Sequence, residues 1–85
     1  MRSFQYQIQD EIGIHARPAG KLVKLVKELD SRVTLETEGR KADGESLFGV
    51  MGLGVKQGAQ VTVTVEGGDE ETSLARMEEF FRENL

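Results

Sequence analysis

One short run of residues brings together a histidine, an arginine and a proline. The run is Gly13-Ile14-His15-Ala16-Arg17-Pro18-Ala19-Gly20, and it contains the only histidine and the only proline of the chain. Proline fixes its φ near the helical value and lacks the amide hydrogen that a first helical turn leaves unpaired. Pro18 therefore predicts the start of a helix, and we expect His15 to lie at the mouth of that helix.

The mouth of a helix is a favourable place for an anion. The unpaired amides of the first turn and the positive end of the helix dipole attract negative charge, and the planar guanidinium of Arg17 suits phosphate oxygens. Neutral imidazole is a nucleophile. The residues therefore predict a phosphate site at which His15 carries a phosphoryl group. A surface or capping histidine beside an ordinary solvated arginine is the alternative that they leave open.

Composition excludes several other kinds of site. The chain has 85 residues and no cysteine, which excludes disulfides, zinc-thiolate sites and cysteine nucleophiles. The sequence has no Walker-type loop for ATP, and its formal net charge of −4 opposes general binding of nucleic acid. With a single histidine, we expect no metal site and no cofactor. The length predicts one domain that spans residues 1–85.

The apolar residues also bear on location. The first residues lack the apolar stretch of a signal peptide, and no run of residues is apolar for long enough to span a bilayer. We therefore expect a cytoplasmic protein without membrane insertion.

Charge is unevenly distributed along the chain. Basic residues cluster on the first predicted helix, at Arg17, Lys21, Lys24 and Lys27. Acidic residues dominate the last segment, at Glu70, Glu71, Glu78, Glu79 and Glu83. The basic cluster would steer an acidic partner toward His15. An ordinary solvated helix face explains the same charges equally well.

Hydrophobic periodicity predicts the elements that position these residues. Alternating apolar residues predict strands at residues 3–9, 32–37 and 61–66. The break at Glu38-Gly39-Arg40 predicts a turn into a short, polar strand near Lys41-Ala42. Spacings of three and four residues, with their capping residues, predict helices from Ala16 to near Asp30, after Ser46 and after Asp69. This order predicts an α+β domain with its helices on one face of an antiparallel sheet.

The segment that follows Ser46 is more apolar than a short helix requires. Its apolar residues are Leu47, Phe48, Val50, Met51 and Leu53. Because a small helix cannot bury apolar residues all round, we expect Leu47, Phe48 and Met51 to form a partly exposed docking surface. Packing beneath the loop as a satellite core is the alternative.

Two separate motifs resemble those of one protein family. The run from Gly13 to Ala19, together with Ser46-Leu47-Phe48-Gly49-Val50-Met51-Gly52-Leu53-Gly54-Val55, closely resembles HPr, the histidine-containing phosphocarrier of the bacterial sugar phosphotransferase system. The resemblance covers the whole chain. It implies an open-faced β-sandwich, with a four-stranded antiparallel sheet and three helices on one face, and we expect a monomer.

The resemblance also implies roles for the matching residues. His15 corresponds to the histidine that accepts a phosphoryl group from phosphorylated enzyme I and passes it to the A domains of sugar-specific enzyme II, as a stoichiometric carrier and not as an enzyme. Arg17 corresponds to the arginine that positions this group, and Pro18 to the helix start. Ser46 corresponds to the serine that HPr kinase/phosphorylase modifies in carbon catabolite regulation, which acts through a transcription regulator. The partner-binding surface is matched by Leu47, Phe48, Gly49 and Met51.

The chain departs from the family pattern near Ser46. Glu45 stands where relatives often have a basic or neutral polar residue, Phe48 replaces a frequent methionine, and Gly52 replaces a frequent serine.

Two other functions remain open from the sequence. One is a purely regulatory module controlled through Ser46, and the other is a phosphoryl relay outside sugar uptake.

Overall fold

The chain folds into the order of strands and helices that its periodicity predicts. A computed structural model describes residues 1–85. Its elements are β1 (Arg2–Gln7), α1 (Ala16–Glu28), β2 (Arg32–Thr37), β3 (Arg40–Asp43), α2 (Leu47–Gly52), β4 (Gln60–Glu66) and α3 (Glu70–Asn84). None of these helices combines the length and the apolar character that a membrane crossing requires.

The four strands form one antiparallel sheet in the order β1-β4-β2-β3. The last strand in sequence is therefore central, and its Val63 lies opposite both Phe4 and Leu35. Val61, Val63 and Val65 are fully buried. Because successive side chains of a strand point to opposite faces, one face of the sheet is buried against the helices and the other is open. The predicted open-faced α+β fold is confirmed.

β1 ends two residues before its predicted end because the chain leaves the sheet there. The backbone amides of Gln9 and Asp10 donate to a backbone oxygen of Leu85, at 2.6 and 2.8 Å. The end of the chain thus fixes the loop that leads to His15.

α3 is anchored at both of its ends. The Asp69 carboxylate accepts hydrogen bonds from the hydroxyl and the amide of Thr72, at 2.8 and 3.1 Å. The hydroxyl bond, and then the amide bond, hold the pKa of Asp69 below its ordinary value. Further along α3, the Phe81 ring meets Phe4 and Tyr6 edge-on, with centroids 5.6 and 5.5 Å apart. This packing places the last turn of α3 beside the His15 loop.

Candidate functional site

His15 is the N-cap of α1. Its backbone is extended, with φ −115° and ψ −172°, and its carbonyl oxygen accepts the amide of Ala19 at 2.9 Å. The imidazole is half-buried and makes no capping hydrogen bond. The structure therefore places His15 at the mouth of the helix, as the sequence predicts, and leaves its ring unused by the fold.

Two backbone amides beside His15 have no partner within the chain. They belong to Ala16 and Arg17, the first two residues of α1. The next residue, Pro18, is buried and has no amide hydrogen to satisfy. First-turn amides point out of the end of a helix, so these two amides form a pair of donors at its positive end. That arrangement favours an anion next to His15.

His15 opens into a small, polar cleft of about 120 Å³. The cleft is lined by Asp10, His15, Arg17, Pro18, Lys21 and Asn84. Arg17 and Lys21 are exposed, and neither takes part in the two ion pairs of the chain, which lie elsewhere. Two unpaired cations therefore share one shallow opening with the imidazole. Cations and amides in this combination bind phosphoryl oxygens through charge-assisted hydrogen bonds.

Asp10 and Asn84 were not assigned to this cleft by the sequence, and Lys21 was predicted only as part of the basic cluster of the first helix. Asp10 lies in an irregular loop, and Asn84 lies in the last turn of α3, where its side chain donates to the carbonyl oxygen of Phe80 at 3.0 Å. Asp10 has a weak signal in the sequence, because it lies in the same loop as His15. Asn84 has no such signal, since only the packing of α3 brings it to the start of α1.

Gly13 allows the two sequence motifs to meet. Its φ is +82°, and a Cβ atom at this position would lie 2.2 Å from the carbonyl oxygen of Val55. The same oxygen accepts the amide of Ile14 at 3.1 Å. Any larger residue would push the His15 loop away from Val55. Gly13 is therefore required for the contact between the loop before α1 and the segment after α2.

Ser46 caps α2, as the sequence predicts. Its hydroxyl oxygen accepts the amide of Gly49 at 3.0 Å, and Ser46 itself is exposed. The carboxylate of Asp43 accepts the amide of Glu45 at 2.9 Å. The exposed serine is therefore flanked by the acidic residues Asp43 and Glu45.

The apolar residues of the second motif divide between core and surface. Val50 and Leu53 are buried, whereas Leu47, Phe48 and Met51 are 42%, 91% and 40% exposed. The alternative prediction, in which these residues pack beneath the loop as a satellite core, is therefore wrong for Phe48. We call Leu47, Phe48 and Met51 the α2 surface.

A larger depression lies away from the histidine. It has a volume of about 500 Å³ and is lined by Thr37, Glu38 and residues 53–59. This lining contains neither a histidine nor an arginine. No group of three or more side chains of metal-ligating type is placed to hold an ion. The chemistry expected from the sequence is therefore concentrated in the smaller cleft.

Comparisons with known proteins show the family to which this chain belongs. A family model described as the PTS HPr component phosphorylation site matches residues 2–83. The fold is similar to that of the histidine-containing phosphocarrier protein of Mycoplasma, with 26% identity, a TM-score of 0.92, and coverage of 96% of this chain and 93% of that one. HPr of Thermoanaerobacter tengcongensis is 32% identical, with a TM-score of 0.91 and coverage of 96% of this chain and 92% of that one. The catabolite repression protein Crh of Bacillus subtilis, described as a dimer with a swapped domain, is 31% identical, with a TM-score of 0.78 and coverage of 94% of this chain and 92% of that one. Because the family model matches almost the whole chain and the fold agrees with solved members, this chain belongs to the HPr family of phosphocarrier proteins of the phosphotransferase system.

Proposed function

We propose that this chain accepts a phosphoryl group on His15 from phosphorylated enzyme I and passes it to the A domains of sugar-specific enzyme II. The observation that carries the proposal is the unengaged imidazole at the N-cap of α1, beside the free amides of Ala16 and Arg17. On acceptance, the lone pair of a ring nitrogen forms the new bond to phosphorus as the donor's bond breaks. On release, the phosphorus–nitrogen bond breaks and its electron pair returns to the ring.

The shallow cleft suits a carrier. Successive partners must each reach the same ring nitrogen, which a deep pocket would prevent. Phosphoryl transfer depends mainly on positioning and on charge stabilisation. The first-turn amides and the Arg17 guanidinium supply both at an open surface. The chain then acts as a stoichiometric carrier, because each cycle binds one phosphoryl group to His15 and releases that same group to the acceptor.

Incubation with enzyme I and phosphoenolpyruvate tests the proposed function. We expect intact-mass analysis to show one added phosphate, which acid removes, because a phosphoramidate is acid-labile and a phosphoserine is not. A purely regulatory module would acquire no acid-labile phosphate. Addition of sugar-specific A domains then separates sugar uptake from another relay, since only the former predicts loss of the phosphate to these domains.

We propose that the α2 surface is the part of this chain that docks its partners. Phe48 is 91% exposed and its ring supplies a large apolar contact. Gly49 lies half-buried beside it in the same helix, where a Cβ would come within 3.0 Å of the Ser46 hydroxyl oxygen. Gly49 therefore supports docking at the α2 surface, because its lack of a side chain allows the backbone to pack closely against Ser46.

The Phe48→Ala substitution is expected to weaken enzyme I binding by about 1–2 kcal/mol, as loss of an aromatic anchor does. The free energy of unfolding should scarcely change, because the Phe48 ring is exposed. Titration calorimetry and a melting curve measure the two effects. Phe81→Ala is the matched control, since truncation of a buried phenylalanine costs about 3–5 kcal/mol of stability. An unchanged dissociation constant for Phe48→Ala would remove Phe48 from the interface.

We further propose that Ser46 is a regulatory phosphorylation site for HPr kinase/phosphorylase, and that its phosphorylated form binds a catabolite-control transcription regulator. The exposure of Ser46 supports access by a kinase. A phosphate there would stand beside the apolar α2 surface and would join the negative charges of Asp43 and Glu45. It would therefore disfavour an acidic partner at this surface.

The Ser46→Asp substitution is expected to slow phosphorylation of His15 by enzyme I about fivefold at low salt, the size of a nearby surface charge effect. Ser46→Asn is the matched control, because asparagine also caps helices and adds no charge. Transfer kinetics at low and high salt measure the effect. Equal rates for the aspartate and asparagine variants under both conditions would contradict a charge-based switch at Ser46.

A further inference from the structure

We propose that Asp10 limits how tightly the His15 site retains a phosphoryl group. Asp10 lines the same cleft as His15. Its negative charge would repel the phosphoryl oxygens, which favours release to an acceptor. This proposal rests on the proposed function of His15. It assigns an electrostatic positioning role to a residue that does not itself react.

Asp10 is held in place from three directions. Its side-chain Oδ1 accepts the amide of Ile12 at 2.8 Å. Its backbone carbonyl accepts the amide of Gly13 at 3.1 Å, and its own amide donates to a backbone oxygen of Leu85 at 2.8 Å. The half-buried carboxylate is therefore fixed at the edge of the cleft and is not a freely moving surface charge.

The charges of the cleft determine how Asp10 would affect a phosphoryl group on His15. Among the lining residues, Arg17 and Lys21 are the cations and Asp10 is the only carboxylate. Asp10 forms an ion pair with neither of them, so its charge is not cancelled by a direct contact. A phosphoryl group on His15 would bring further negative charge into this opening. Arg17 and Lys21 would then favour the phosphorylated state, and Asp10 would oppose it.

Asp10 affects transfer because its repulsion acts on the phosphorylated carrier and not on the free carrier. Passing the group on breaks the phosphorus–nitrogen bond at His15 and forms a bond from phosphorus to the acceptor's nucleophile. Repulsion between Asp10 and the phosphoryl oxygens is present before this step and is relieved after it. Asp10 therefore raises the free energy of the phosphorylated carrier relative to the free carrier. A carrier needs such a term, because a group held too firmly would not be handed on.

The experiment compares Asp10→Asn with Glu11→Gln. Both substitutions remove one negative charge, and the two residues are adjacent, but Glu11 is exposed and does not line the cleft. Asparagine retains a side-chain oxygen that can accept the amide of Ile12. Each variant is mixed with an equal amount of ¹⁵N-labelled wild type, limiting phosphoenolpyruvate and a trace of enzyme I. At equilibrium, intact-mass analysis gives the phosphorylated fraction of each protein.

We expect the phosphoryl group to partition toward Asp10→Asn about fivefold at low salt and close to equally in 1 M salt, where the screening length falls to about 3 Å. Glu11→Gln should remain close to an equal partition. A partition for Asp10→Asn that matches Glu11→Gln, or one that favours the wild type, overturns the Asp10 proposal alone. Absence of acid-labile phosphate from every protein overturns the proposed function as well.

Discussion

The His15→Ala variant is expected to accept no phosphoryl group from enzyme I. His15 is the only histidine of the chain, so no second imidazole can replace it. The free amides of Ala16 and Arg17 would still attract an anion, but nothing would be present to form a bond to phosphorus. The fold should persist, because the His15 side chain makes no capping hydrogen bond that alanine would lose. Intact-mass analysis after incubation with enzyme I and phosphoenolpyruvate measures the result.

A control variant at Ser46 tests whether a residue other than His15 accepts the acid-labile phosphate. Ser46→Ala should acquire the acid-labile phosphate as the wild type does, since Ser46 caps α2 and does not line the His15 cleft. Circular dichroism should show that both variants are folded. Acid-labile phosphate on His15→Ala would disprove the assignment of the reacting residue.

The Arg17→Ala variant is expected to lose about 100-fold in the rate of phosphoryl transfer, the typical cost of removing one group that stabilises transition-state charge. Arg17 lines the cleft beside His15, is exposed, and has no carboxylate partner in the chain. Its guanidinium is therefore free to pair with the equatorial phosphoryl oxygens. The free energy of unfolding should change little, because the exposed Arg17 side chain forms no ion pair within the chain. Rapid-quench kinetics with enzyme I measure the rate.

Two further variants separate the geometry of Arg17 from its charge. Arg17→Lys keeps the charge but loses the planar fork of donors, and we expect it to recover only part of the rate. Arg82→Ala removes the same charge from an exposed position on α3 outside the cleft, and we expect a rate close to that of the wild type. Equal losses for Arg17→Ala and Arg82→Ala would show a general effect of net charge and would exclude Arg17 from the site.

The sequence predicted the parts of this protein that depend on neighbouring residues. The φ restriction of Pro18 and the apolar period after Ala16 place His15 at a helix start without reference to any other part of the chain. The capping roles of Ser46 and Asp69 follow in the same way from their own local hydrogen bonds. The two motifs together also led to the correct family, and through it to the sheet and its helices.

Only the tertiary structure decided which residues surround the histidine. Asn84 reaches the cleft because Phe81 packs α3 against β1, and Asp10 is fixed there by a backbone oxygen of Leu85. Periodicity reports which face of an element is apolar, but it does not report which distant element covers that face. The same reason explains the segment after Ser46, where packing buries Val50 and leaves Phe48 exposed. The position of the proposed phosphoryl acceptor is therefore determined locally, whereas its electrostatic surroundings and the exposure of the α2 surface are determined by contacts between distant parts of the chain.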